Sequence, residues 1–159
     1  MYTKEFEIRW SDIDANRHMA NSAYLNLMSH TRTAFLQEHG FSLMALSKAH
    51  LGPVVFYEHI YYFKEAFLGE KIDVSLEVSG LSEDGMFFKF EHNFYNKKGK
   101  HLAHCEILGA WIDLNTRELT GLKADLHQLA HNFPKSENYK LLTKKDTRSF
   151  GKKPKNLTI

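Results

Sequence analysis

The chain has 159 residues with 25% charged side chains and a formal net charge of +2. That length suits one domain with a single core, and the charge gives no global case for nucleic acid as a partner. One cysteine, Cys105, excludes an internal disulfide framework and fits a reducing compartment. The opening MYTKEFEIRW has no apolar signal core, and no apolar run reaches the roughly 20 residues a bilayer crossing needs. A soluble, cytoplasmic protein without a membrane span is expected.

Phe6, Ile8 and Trp10 alternate with Glu5, Glu7 and Arg9, which predicts a half-buried strand over 5–10. After a loop holding Asp12, Asp14 and His18 the period changes. Tyr24, Leu25, Met28, Arg32, Phe35 and Leu36 fall at helical spacing, so a long helix is expected over 21–39, with Asn21 or Ser22 as cap and Gly40 as stop. Leu43–His50 reads as a short second helix ended by Gly52-Pro53.

Four strands are expected next. Val54–Lys64 is apolar on both faces, as in a strand covered twice. Ile72, Val74, Leu76 and Val78 alternate with polar residues. Met86, Phe88, Phe90, His92 and Phe94 line one face of the third, and His101–Leu114 forms the fourth. Gly69, Gly85 and the stretch Asn96–Gly99 mark the turns between them. Leu122–Asn132 reads as a short helix before Pro134. One long helix laid across a bent antiparallel sheet is an α+β arrangement.

Charge divides the chain in two. Residues 135–159 hold eight Lys and Arg against Glu137 and Asp146, a net of +6, which leaves −4 on residues 1–134. The expected organisation is a domain over 1–134 and a basic extension over 135–159, a candidate anion contact or a solvated tail.

Asp12, Asp14, His18 and Asn21 crowd into the entry of the long helix, and this company singles out Asp14. A carboxylate there serves as nucleophile or general base, beside the free N–H groups of a helix start that suit an oxyanion. Asp12 is better suited to structural capping. His127 and His131 share a helical face, but Gln128 stands where a zinc protease needs Glu, and no metal is expected. His104 and Cys105 point to opposite faces of a strand, so joint ligation is not expected, and Cys105 reads as a small core residue. No phosphate-binding glycine loop, dinucleotide fingerprint or G-x-S-x-G elbow occurs.

Arg9–Arg32 resembles the signature of hotdog-fold acyl-CoA thioesterases of the 4-hydroxybenzoyl-CoA thioesterase type, roughly R-x-x-D-x-D-x-x-G-H-V-N-N-x-x-Y-L-x-x-x-E-x-x-R. Arg9, Asp12, Asp14, His18, Asn21, Tyr24, Leu25 and Arg32 match at the same spacing. GPVVFYEHIYYFKEAFLGEKIDVSLEV (52–78) resembles the strand pair that follows. The resemblance implies a hotdog fold, a long central helix wrapped by a five-stranded antiparallel sheet, assembled as homodimers or homotetramers with the site at the dimer interface. It implies hydrolysis of an acyl-CoA or related acyl thioester without metal or cofactor. Asp14 would attack the carbonyl or activate water, the Asn21 N–H would polarise the carbonyl oxygen, and His18 would orient the site or assist the thiolate. Arg17 and Tyr24 would contact substrate. Arg17, Ala20 and Ser29 depart from the pattern, replacing Gly, Asn and Glu. The alternative from another class is a catalytically silent hotdog module that binds acyl thioesters or a protein partner.

Overall fold

Tyr2–Glu7 forms strand β1, with Tyr2, Lys4 and Phe6 turned toward the interior and Thr3, Glu5 and Glu7 outward. The computed structural model describes residues 1–158. The predicted alternation ends early: Ile8 is buried, but the chain turns through a short 3-10 helix, Trp10–Asp12, and leaves Trp10 exposed. The turn is dictated by Asp12, whose carboxylate draws the Arg9 backbone and side chain back onto itself.

Asn21–Glu38 forms α1, the predicted long helix. It buries Ala23, Tyr24, Leu27, Met28, Thr31, Phe35 and Leu36, a stripe at three- and four-residue steps. Leu25, expected in that stripe, is exposed, being one position round the helix from Tyr24. The N-cap is Ala20 rather than Asn21 or Ser22, and it makes no side-chain cap bond. Gly40 ends the helix at φ +88°, a left-handed stop that glycine adopts without cost from a Cβ. α2 is Leu43–Lys48, capped by Ser42, whose hydroxyl accepts from the Ala45 N–H at 3.1 Å.

The chain does not break at Gly52-Pro53. β2 runs through both, from Leu51 to Tyr62, since as an edge strand it tolerates a proline that donates nothing. β3 (Lys71–Ser82), β4 (Phe87–Asn96) and β5 (His101–Asp113) follow, and the antiparallel order is β1-β3-β4-β5-β2. α3 spans Ala124–His131. A strand the sequence pattern does not announce comes last: β6, Lys135–Leu142, runs parallel to β3 and continues its free edge beyond β1. A second 3-10 helix, Lys144–Arg148, follows it.

The helix packs across one face of the sheet. Its C-terminal half packs Phe35 and Leu36 among Leu76, Phe88, Phe90 and Trp111. Its N-terminal half packs Tyr24, Leu27 and Met28 against Val74, Phe94, Leu102 and Cys105. Each such side chain taken fully from water contributes about 1.5–3 kcal/mol, so the first turn of α1 is fixed by packing although it lacks a cap. A smaller cluster on the opposite face joins Phe87, Ala110 and Leu142, which ties the basic extension to the sheet. No helix among the described residues is long and apolar enough to cross a membrane.

Candidate active site

The site is set by the loop between the first 3-10 helix and α1. Ile13 and Met19 form an isolated antiparallel bridge, and the Asp14 N–H donates to the His18 carbonyl at 3.1 Å. Within this small hairpin the Asp14 carboxylate accepts the Asn16 N–H at 2.8 Å, an Asx turn. Arg17 sits at φ +65°, the left-handed conformation that accounts for glycine at this place in the motif. Two bonds seat the hairpin: Met19 N–H to the Ala66 carbonyl at 2.7 Å, and Ala20 N–H to the Asp12 carbonyl at 2.8 Å.

Asp12 is the rivet beneath. Its buried carboxylate accepts the Arg9 N–H at 2.9 Å and the guanidinium at 3.2 Å. Burial pulls the carboxyl upward, but the Arg9 bonds and charge outweigh it and hold Asp12 below the ordinary aspartate value. Its oxygens are consumed by structure, as the capping role expected from the sequence requires.

Asp14, His18, Asn21 and Tyr24 come together on one cleft of about 340 Å³, with Met19, Tyr62, Phe63, Lys64 and Glu65. Of the five residues given a catalytic or substrate-binding role by the resemblance, Arg17 alone stands outside the lining, exposed at the hairpin tip. At the helix start the Ala23 N–H returns to the Ala20 carbonyl, while the N–H groups of Asn21 and Ser22 have no acceptor among the described residues. They are free donors at the positive end of a helix that spans 18 residues.

The cleft wall is aromatic. Tyr24 meets Tyr62 edge-on at 5.1 Å and Phe94 at 5.0 Å. Burial, with the nearby Tyr62 and Glu65, pushes the Tyr24 phenol up to about 12, so it is a neutral hydroxyl at any working pH. Glu65 was not legible as a site residue: its Oε1 lies 3.6 Å from His18 Nε2, while His18 Nδ1 lies 3.3 Å from the Met19 carbonyl. The signal that brings them together is tertiary, the bond that carries Ala66 onto Met19.

The other candidates lie elsewhere. Cys105 is wholly buried and burial pushes its thiol up to about 12, so it is no thiolate nucleophile. His101 and His104 both donate to Asn93 Oδ1, at 3.0 and 2.8 Å, away from the buried Cys105. His127 and His131 pack edge-to-face at 4.4 Å, with His127 Nε2 bonded to the Glu83 carbonyl. Arg32 is committed to packing: it contacts Glu58 at 3.8 Å and the fully buried His92 at 3.4 Å.

A sequence model of the thioesterase-like superfamily matches residues 8–135 of this chain. The chain belongs to the thioesterase-like superfamily. No curated protein sequence matches it. Its fold is that of solved hotdog proteins. A Staphylococcus aureus protein solved in complex with CoA is similar at TM-score 0.77 and 20% identity, covering 99% of this chain and 94% of that one. The DHNA-CoA thioesterase of Staphylococcus aureus gives TM-score 0.75 at 20% identity, over 81% of this chain and 87% of its own. The 1,4-dihydroxy-2-naphthoyl-CoA thioesterase of Synechocystis gives 0.72 at 16%, over 82% and 96%. The thioesterase-like match and these neighbours bear out the hotdog expectation. The five expected antiparallel strands are present, and β6 is an addition to them.

Proposed function

We propose that the protein is an acyl-CoA thioesterase that releases a free acid and coenzyme A. One observation carries this reading: the Asp14 carboxylate and the uncapped start of α1 face the same cleft. Asp14 attacks the thioester carbonyl, or takes the proton of a water that does. The oxygen that gains charge in the tetrahedral intermediate accepts the Asn21 N–H, whose dipole is already oriented. Collapse breaks the carbon–sulfur bond, and His18 supplies a proton to the leaving thiolate. In the nucleophilic route an acyl-aspartyl anhydride forms first, and water then hydrolyses it to regenerate the carboxylate.

The acyl group lies against Tyr24, Tyr62 and Phe63, and Arg17 reaches substrate from the hairpin tip. Aromatic walls and a cleft of about 340 Å³ favour an aromatic or short acyl group, in keeping with the aryl-CoA named for the Synechocystis neighbour. The site is completed by a second copy. Among the described residues β2 pairs with β5 alone, and Val55, Tyr61 and Tyr62 on it and Phe63 just after it are about half exposed. An open edge strand of this kind is a template for pairing, and a homodimer through β2 covers it. Residues 1–134 form the catalytic domain and 135–159 a basic extension.

The test is release of thiol from a panel of acyl-CoA esters. Wild type should turn over at least one aryl or short-chain ester, and Asp14→Asn should lower kcat by about 10²–10⁴-fold with the fold intact. Hydrolysis by Asp14→Asn at the wild-type rate would remove Asp14 from the chemistry. Single turnover in ¹⁸O-water tests the nucleophilic route, because label enters the Asp14 carboxylate only when water opens the anhydride at its aspartyl carbonyl.

A further inference from the structure

The cleft does not end at Glu65. Lys64 and Glu65 also line a neighbouring groove of about 380 Å³, together with Phe67, Glu70, Asn96 and Lys100. Glu70 and Asn96 are shared in turn with a concavity of about 160 Å³ beside Lys97 and Lys98. These hollows lead from the helix start to the β4–β5 turn.

That turn is built to hold its lysines out. Asn96 Oδ1 accepts the N–H groups of both Lys98 and Lys100 at 3.0 Å, and Gly99 closes the turn at φ +74°. The cations along the way fall into two groups. Lys71 and Lys97 are neutralised by Glu5 and Asp73 at 2.7–3.1 Å. Lys64, Lys98 and Lys100 have no carboxylate partner among the described residues. Of the two carboxylates on the route, Glu65 faces His18 and Glu70 accepts the Phe67 N–H at 2.9 Å.

Part of the basic extension is anchored on other elements. Lys140 is held by Asp146 at 2.6 Å, Arg148 lies over Phe56, and Phe150 packs on Tyr57 and His59. Tyr57 and His59 alternate along β2 with Glu58, Ile60 and Tyr62, so they face away from the Tyr24–Tyr62 contact.

We infer that Lys98 and Lys100, with Lys64 on the way, bind the phosphates of the coenzyme's nucleotide, so that the thioester arm crosses the Lys64–Glu65 segment to reach Asp14. This rests on the reading of the protein as an acyl-CoA thioesterase and deepens it: the substrate is a coenzyme A ester rather than a thioester lacking the nucleotide. Lysine ammonium groups serve as point charges for phosphate, and such contacts hold ground and transition states alike.

The experiment compares wild type with Lys98→Glu/Lys100→Glu and the milder Lys98→Ala/Lys100→Ala, on an acyl-CoA and on the same acyl group carried by pantetheine, which has no phosphates. The lysine variants should raise KM for the acyl-CoA about tenfold or more, with kcat within about twofold. Their kcat/KM for the acyl-pantetheine should stay at the wild-type value, and the KM gap should narrow in high salt. Calorimetry with coenzyme A alone keeps the two readings apart. If wild type hydrolyses no acyl-CoA yet binds coenzyme A with lysine-dependent affinity, the phosphate site stands and the hydrolase reading falls. Unchanged coenzyme A affinity in both variants, or equal losses on both substrates, overturns the site.

Discussion

His18 Nε2 stands 3.6 Å from the Glu65 carboxylate while its Nδ1 stands 3.3 Å from the Met19 carbonyl. Each ring nitrogen of His18 thus faces an oxygen acceptor, one on a side chain and one on the backbone. On the proposal that His18 protonates the leaving thiolate, Glu65 acts through His18 as a positioning residue. Glu65→Gln should lower kcat on a coenzyme A ester about three- to tenfold with KM little changed, a fraction of what a general acid supplies. A thioester of an aromatic thiol, whose thiolate leaves unaided, should lose little. Equal losses on both leaving groups would reduce Glu65 to packing.

Asp12 and Asp14 are two residues apart and serve different ends. Asp12→Ala removes the acceptor that holds the Arg9 N–H and guanidinium, and should destabilise the fold by about 1–2 kcal/mol. The pH dependence has a definite sign. A carboxyl held below its unfolded value stabilises above the unfolded pKa of about 3.9, and that contribution is lost as pH falls through the folded value. Denaturant midpoints of wild type and Asp12→Ala should therefore differ most above pH 5 and converge in strong acid. A difference that grows toward low pH would contradict the assignment.

His92 acts at higher pH. It is fully buried, and burial, reinforced by the Arg32 charge, presses its pKa from 6.5 to about 3. The unfolded chain then takes up a proton below about pH 6.5 that the folded chain refuses, so stability falls as pH drops from that value toward 3. His92→Gln should be less stable at pH 7.5 yet lose less between pH 7.5 and pH 5 than wild type does. Parallel losses in the two proteins would show that His92 does not drive the slope.

Much of this was legible from Arg9 to Arg32, because both the Asp14 hairpin and α1 are local. Helical spacing picks out Tyr24, Met28 and Phe35, all of them buried. What was hidden is non-local. Glu65 reaches His18 only because Ala66 accepts the Met19 N–H. Trp10 departs from the expected alternation for a similar reason, since the alternation cannot register that Asp12 captures the backbone at Arg9. β6 was silent because KSENYKLL buries only Ser136 and Leu142 and is held by backbone pairing to β3.

Arg17 carries a backbone conformation that costs a side-chain-bearing residue about 1–2 kcal/mol. Arg17→Gly relieves it, against about 0.5–1 kcal/mol of extra freedom gained by the unfolded chain, and the melting temperature should hold or rise slightly. If the guanidinium meets substrate, KM for an acyl-CoA should rise in the same variant. A stabilised protein with unchanged KM would strike Arg17 from the substrate contacts.

Two side chains of the segment after Pro134 pack against the sheet. Leu142 is 3% exposed against Phe87 and Ala110, and Phe150 folds back onto Tyr57 and His59. Leu142→Ala should cost about 2–5 kcal/mol, as a buried leucine cut to alanine does. Ending the chain after Leu142 removes the Phe150 contacts and should cost about 1–2 kcal/mol. It also frees Lys140 from Asp146, an ion pair half in solvent that contributes little. Since the lysines of the β4–β5 turn are untouched, KM for an acyl-CoA should stay within about twofold of wild type at low salt. A large rise in KM in a folded, truncated protein would return the phosphates to the tail and count against Lys98 and Lys100.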